Sequence, residues 1–65
     1  MLAVTRMSPA IKSTVREVVE NVRAEEGTSP ETRMIADGIA IEMLADDFGI
    51  IVDIDTIKRV MRDNR

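Results

Sequence analysis

Two Ser-Pro dipeptides, Ser8-Pro9 and Ser29-Pro30, constrain the fold of this chain most, because each marks the start of a helix. A serine hydroxyl accepts a hydrogen bond from a free amide of the first turn, and proline at the first helical position loses no bond there. Apolar residues at helical spacing follow each dipeptide. We expect Gly27 to end the first helix in the left-handed conformation and Gly49 to close the second.

These signals predict an all-α fold, a small three-helix domain with helices over about residues 9–26, 30–48 and 54–63. Asp53 or Asp55 would cap the third helix. A short N-terminal strand over residues 2–5 would be able to pair with the β-branched run at 50–53. A chain of 65 residues has room for one core, so residues 1–65 are predicted to form a single domain. The first helix shows one apolar face, formed by Ile11, Val15, Val18, Val19 and Val22.

The second helix is apolar over more than half of its circumference. Such a helix is either buried between two neighbours or presents a second apolar stripe to another chain, so we expect a homodimer through this helix. Gly38 in its interior predicts the close approach of another backbone. We expect Phe48, Met43 and Met61 to lie in the core. The apolar positions of the second helix are Met34, Ile35, Ile39, Ile41, Met43, Leu44 and Phe48.

The composition argues against an enzyme. The chain contains no His, Cys, Trp or Tyr, so the usual general base, thiol nucleophile and metal ligands are missing. A three-helix domain of this size rarely encloses a pocket that could shift the pKa values of two carboxylates. We therefore predict no catalytic residue, cofactor, metal site or small-molecule substrate. No apolar run reaches the roughly 18 residues of a membrane span, and a cytoplasmic protein without membrane contact is expected.

The charges are ordered along the chain, and this order suggests a binding function. Residues 34–55 carry six acidic and no basic side chains, whereas both ends are basic. Together with the wide apolar face, this predicts a small regulatory or inhibitory protein that binds another protein, of the inhibitor or antitoxin type that phages and mobile elements use. The predicted contact residues are Met34 and Ile41 with an acidic rim of Asp37, Glu42, Asp46 and Asp47.

A dimeric DNA-binding repressor is the first alternative. Residues 44–50 followed by 56–60 resemble the helix-turn-helix of bacterial repressors, which would place Thr56, Lys58, Arg59 and Arg62 on a recognition helix. Residues 2–7, the first helix and the turn Gly27-Thr28-Ser29 also resemble the ribbon-helix-helix family, which implies base contacts from Thr5 and Arg6. In such a repressor Lys12 would contact DNA together with Arg6. The net charge of −3 opposes both resemblances, because phosphate attraction supplies most non-specific affinity. A small structural assembly subunit is the second alternative, and it predicts the same helices.

Overall fold

A computed structural model of the chain describes residues 3–27 and 29–63 and contains three α-helices in these ranges. Helix α1 spans Pro9–Glu26, α2 spans Pro30–Phe48 and α3 spans Ile54–Arg62. The all-α, three-helix prediction is confirmed. The predicted third helix differs by one residue, because Asp63 follows the last helical residue as its cap. Leu2 of the predicted strand and Thr28 of the predicted turn lie outside the described residues.

Each helix begins at the side-chain cap that the sequence predicts. The Ser8 Oγ accepts a hydrogen bond from the Ile11 amide at 3.3 Å, and the Ser29 Oγ accepts one from the Thr32 amide at 3.2 Å. At α3 the cap is Asp53, whose Oδ1 accepts the Thr56 amide at 2.7 Å. These bonds satisfy first-turn amides that have no partner within their own helix.

Two glycines end α1 and α2, but they do so in different conformations. Gly49 is left-handed, at φ 66° and ψ 22°, and its amide donates to the carbonyls of the last turn of α2. Gly27 has φ 113° and ψ 179°, which is not the left-handed helical cap that we expected. This extended, positive-φ conformation is essentially restricted to glycine. The chain therefore needs a glycine at both helix ends.

The core forms where α1 packs against α2 and α3 closes one side. Helix α1 contributes the predicted valines, and α3 contributes Ile57 and Val60. Helix α2 contributes its small residues Ala36 and Ala40 with Leu44, rather than its isoleucines. Small side chains at a helix contact allow the two backbones to approach closely, which explains why the alanines are buried. Ile50 and Val52, in the connection between α2 and α3, complete the core.

The N-terminal segment is attached to the connection between α2 and α3, as the sequence suggested, but without strand structure in the described residues. The Thr5 amide donates to the Ile51 carbonyl at 2.7 Å, and the Ile51 amide donates to the Thr5 Oγ1 at 2.7 Å. Thr5 thus takes the place of a paired strand, because its hydroxyl accepts the hydrogen bond that the Ile51 amide would otherwise donate to a carbonyl of a partner strand. Met7 packs against the core beside this attachment.

Candidate protein-binding surface

Helix α2 leaves large apolar side chains at the surface on both sides of its buried stripe. Phe48, the only aromatic residue in the chain, is 52% exposed, and Met34 is 76% exposed. Ile35 and Met43 are also exposed. The prediction that Phe48 and Met43 lie in the core is wrong. Ala36, Ala40 and Leu44 occupy the side of α2 that faces α1, and Phe48 is the last residue before the chain turns away at Gly49.

Phe48 and Met43 line a groove between α1 and α2, which we call the acidic groove. Its volume is about 350 Å³. On α1 the lining residues Thr14, Glu17 and Asn21 are spaced by three and four positions, so they share one face of the helix. Val18 forms part of the core beneath them. The residues that line the acidic groove are Thr14, Glu17, Val18, Asn21, Met43, Asp47 and Phe48.

The charge of this groove has one sign. Glu17 from α1 and Asp47 from α2 are the charged residues among the described residues that line it, and both are exposed. Two carboxylates beside an exposed aromatic ring and a methionine therefore form a concave apolar surface with an acidic border. Aromatic residues and methionine are enriched in protein interfaces, where a concave pocket can accept an anchoring side chain.

The six residues predicted to bind a partner do not form one surface. Asp37 was expected on an exposed acidic rim, and this prediction is wrong. It is buried at 5% exposure, and its carboxylate accepts two hydrogen bonds from the Arg23 guanidinium at 2.9 and 3.0 Å. Asp37 is therefore a structural residue of the α1–α2 contact, because a carboxylate in the core requires a paired cation.

The other five predicted residues are divided among three sides of α2. Asp47 lies in the acidic groove, whereas Glu42 and Asp46 are exposed on the outward side of the helix. Met34 lines a different groove beside α3, and Ile41 is half-buried against the core. Gly38 is also exposed, and no atom from outside its own stretch of helix lies within 4 Å of the position that a Cβ would occupy. The close backbone approach predicted at Gly38 is therefore absent from the described part of the chain.

A second groove lies beside α3 and is lined by several basic side chains, and we call it the basic groove. Its volume is about 480 Å³. Met34 and Met61 provide its apolar surface. Met61 was expected in the core, and it is half-buried and packs against the core from the groove. Arg23 and Asp37 also line this groove, where they form an ion pair with each other. The remaining charged residues that line the basic groove are Arg33, Lys58 and Arg62.

The residues predicted to contact DNA are only partly brought together. Lys58 and Arg62 share the basic groove, while Arg59 is exposed on the same helix and Lys12 is half-buried on α1. Arg6 is exposed in the N-terminal segment. The placement of Thr56 on a DNA-reading surface is wrong, because Thr56 is buried in the first turn of α3, where its amide binds the Asp53 cap.

Sequence reasoning missed Glu17, Phe48 and Arg33 as surface residues of these grooves. The sequence does carry a signal for Glu17, because Thr14, Glu17 and Asn21 follow one another at intervals of three and four residues beside the valine stripe. For Arg33 no local signal exists, since its neighbours Lys58 and Arg62 come from another helix.

Two other kinds of site are a metal centre and a membrane-spanning helix. Residues 3–27 and 29–63 contain no cluster of three or more acidic side chains able to hold a metal ion. Within the same ranges, none of the helices combines the length and the apolar character required to cross a bilayer. No protein-family model, curated protein or solved structure matches the chain.

Proposed function

We propose that this protein is a small non-enzymatic regulatory or inhibitory protein that acts by binding another protein through the acidic groove. The observation that carries the proposal is the exposure of Phe48 beside Met43 in a groove that is also lined by one carboxylate from α1 and one from α2. An aromatic side chain at the surface of so small a domain leaves apolar area in water, and a bound partner would remove it. Cytoplasmic localisation and an origin in a phage or mobile element stay predictions.

The chemistry of the groove defines the kind of partner. Its apolar residues favour one aliphatic or aromatic anchor, and Glu17 and Asp47 favour lysine or arginine on either side of that anchor. A basic amphipathic segment of the partner, with cations flanking an apolar residue, would satisfy both requirements. Acidic side chains at the border would mainly accelerate association and select against acidic partners.

The test is selection of peptides from a random library against the full-length chain, followed by affinity measurements on variants. We expect the selected peptides to combine an apolar anchor with basic residues. Phe48→Ala should weaken their binding about 30-fold, the effect of losing an anchor worth about 2 kcal/mol. Ile35→Ala is the matched control, because Ile35 is also an exposed apolar residue of α2 but lies outside the groove.

A second pair of variants tests the charges. Asp47→Lys should reduce the association rate, whereas Asp46→Lys, an exposed acid of the same helix outside the groove, should leave it nearly unchanged. The proposal is refuted if no selected peptide distinguishes Phe48→Ala from Ile35→Ala.

A dimeric DNA-binding repressor is the second candidate function. One observation favours it: Arg33, Lys58 and Arg62 lie together in the basic groove, although the chain as a whole is acidic. On this hypothesis, reversal of Arg59 and Arg62 to Glu should abolish a salt-sensitive shift of duplex DNA. The same reversal should leave peptide binding in the acidic groove intact. A chain that binds no random-sequence duplex even at low salt would exclude the repressor.

A further inference from the structure

The acidic and basic grooves lie on different sides of the α1–α2 pair. Their linings share no residue. On α1, the buried valines separate Glu17 and Asn21, which face the acidic groove, from Arg23, which faces the basic groove. On α2, the buried stripe of Ala36, Ala40 and Leu44 separates Met43 from Met34 in the same way. The molecule therefore presents opposite charges on two separate surfaces.

The two grooves are complementary in charge and in apolar character. The acidic groove is lined by two carboxylates together with Met43 and Phe48. The basic groove is lined by methionines together with three cations that lie outside the Arg23–Asp37 pair, namely Arg33, Lys58 and Arg62. A second copy of the chain thus carries the kind of surface that each groove would bind. Complementary potentials of this kind orient two molecules and select one register over others.

A two-fold dimer through the outward side of α2 is less favourable. That side carries Ile35 and Gly38, but its charged residues Glu31, Glu42 and Asp46 are all acidic. Pairing this side with itself would bring acidic side chains from both copies into one interface, with no cation from the same side to pair with them. A two-fold contact would have to bring both grooves into one interface, but α1 and α2 carry them on opposite sides of their buried faces, so pairing one groove with the other favours a head-to-tail contact.

We propose that the chain associates with itself head to tail, with the basic groove of one copy against the acidic groove of the next. The inference rests on the acidic groove being a binding surface, as proposed above, and it names a second copy as one occupant. Such a heterologous contact leaves a free groove at each end, so assembly continues beyond two copies until a ring closes. A foreign partner that occupies the acidic groove would then compete with assembly.

Light scattering and sedimentation of the full-length protein test this proposal. The average mass should rise above that of a dimer as concentration increases, and it should fall towards the monomer at about 0.5 M salt, where the screening length is only a few ångströms. Asp47→Lys and Lys58→Glu should each remain monomeric when alone, because each places like charges across the contact.

An equimolar mixture of the two variants is the decisive sample. In the mixture, the intact basic groove of Asp47→Lys meets the intact acidic groove of Lys58→Glu, and the reversed pair is also complementary. Assembly should therefore return. Each substitution changes the net charge of −3 by two units, so both variants stay negative and bulk attraction cannot explain the recovery. Asp46→Lys, with the same net charge as Asp47→Lys, should assemble like the original chain.

Three outcomes would overturn the inference: a monomer at every concentration, a mass that stops at the dimer, or a mixture that stays monomeric. If library peptides still bind in a manner that depends on Phe48, such an outcome removes self-association and leaves the proposed function standing. If peptide binding also fails, the acidic groove is not a binding surface and both proposals fail together.

Discussion

The Arg23–Asp37 ion pair should contribute asymmetrically to stability. Both carboxylate oxygens of Asp37 accept hydrogen bonds from the guanidinium, and the carboxylate side chain is only 7% exposed, whereas that of Arg23 is 23% exposed. Loss of the arginine would leave a buried carboxylate without its cation. Loss of the aspartate charge would leave a guanidinium that still reaches water. The two substitutions therefore differ in cost, although they break the same pair.

The magnitudes follow from this difference in exposure. Arg23→Met keeps most of the apolar stem and should destabilise the fold by about 3 kcal/mol, the lower end of the range for breaking a buried pair. Asp37→Asn keeps the shape and one acceptor, so it should cost about 1 kcal/mol. A 65-residue domain has a total stability of roughly 3–10 kcal/mol, so the first change threatens folding and the second does not.

Urea denaturation followed by circular dichroism measures both free energies, and the double variant supplies the sharpest test. Adding Asp37→Asn to Arg23→Met removes the buried unpaired charge, so the double variant should be more stable than Arg23→Met alone by about 1–2 kcal/mol. This reasoning would be refuted if the two single variants lost the same free energy of unfolding, or if the double variant were less stable than Arg23→Met.

Two further predictions concern the helix ends and the helix interior. Gly38→Ala should raise the free energy of unfolding by about 0.8 kcal/mol, because the site is open and helical. Gly49→Ala should lower it by about 1–2 kcal/mol, because Gly49 has a left-handed backbone conformation. Equal effects of the two substitutions in urea titrations would contradict this. At α3, the hydrogen bonds from the Thr56 hydroxyl and amide hold the pKa of Asp53 below its ordinary 3.8. The cap therefore stabilises the fold fully above pH 3.8 and loses this contribution as pH falls through the lowered pKa, so the stability difference from Asp53→Asn should shrink in acid.

Much of the local structure follows from the sequence because helix starts are local interactions. A cap such as Ser8, Ser29 or Asp53 bonds an amide three residues ahead, and no other part of the chain is needed to form that bond. The valine stripe of α1 has one unambiguous face, so its burial could also be predicted. The conformation of Gly27 could not be predicted from the sequence, since it depends on how the chain enters α2.

The surface was harder to predict, because α2 has apolar residues on most of its circumference and thus no unique buried face. The sequence pattern alone does not decide whether Ala36 and Ala40 or the larger Ile35 and Ile39 face α1. Close packing against the valines of α1 favours the alanines, and this choice leaves Phe48 beside the acidic groove. The candidate binding residues depend on this choice.

The three helices, their ends and the apolar face of α1 follow from the sequence alone, because they depend on hydrogen bonds and spacing within a few turns of chain. By contrast, the burial of Asp37 and the exposure of Phe48 depend on how the helices pack together. Both outcomes depend on groups from another helix: the Arg23 guanidinium makes a buried carboxylate tolerable, and the close approach of α1 leaves the aromatic ring outside the core.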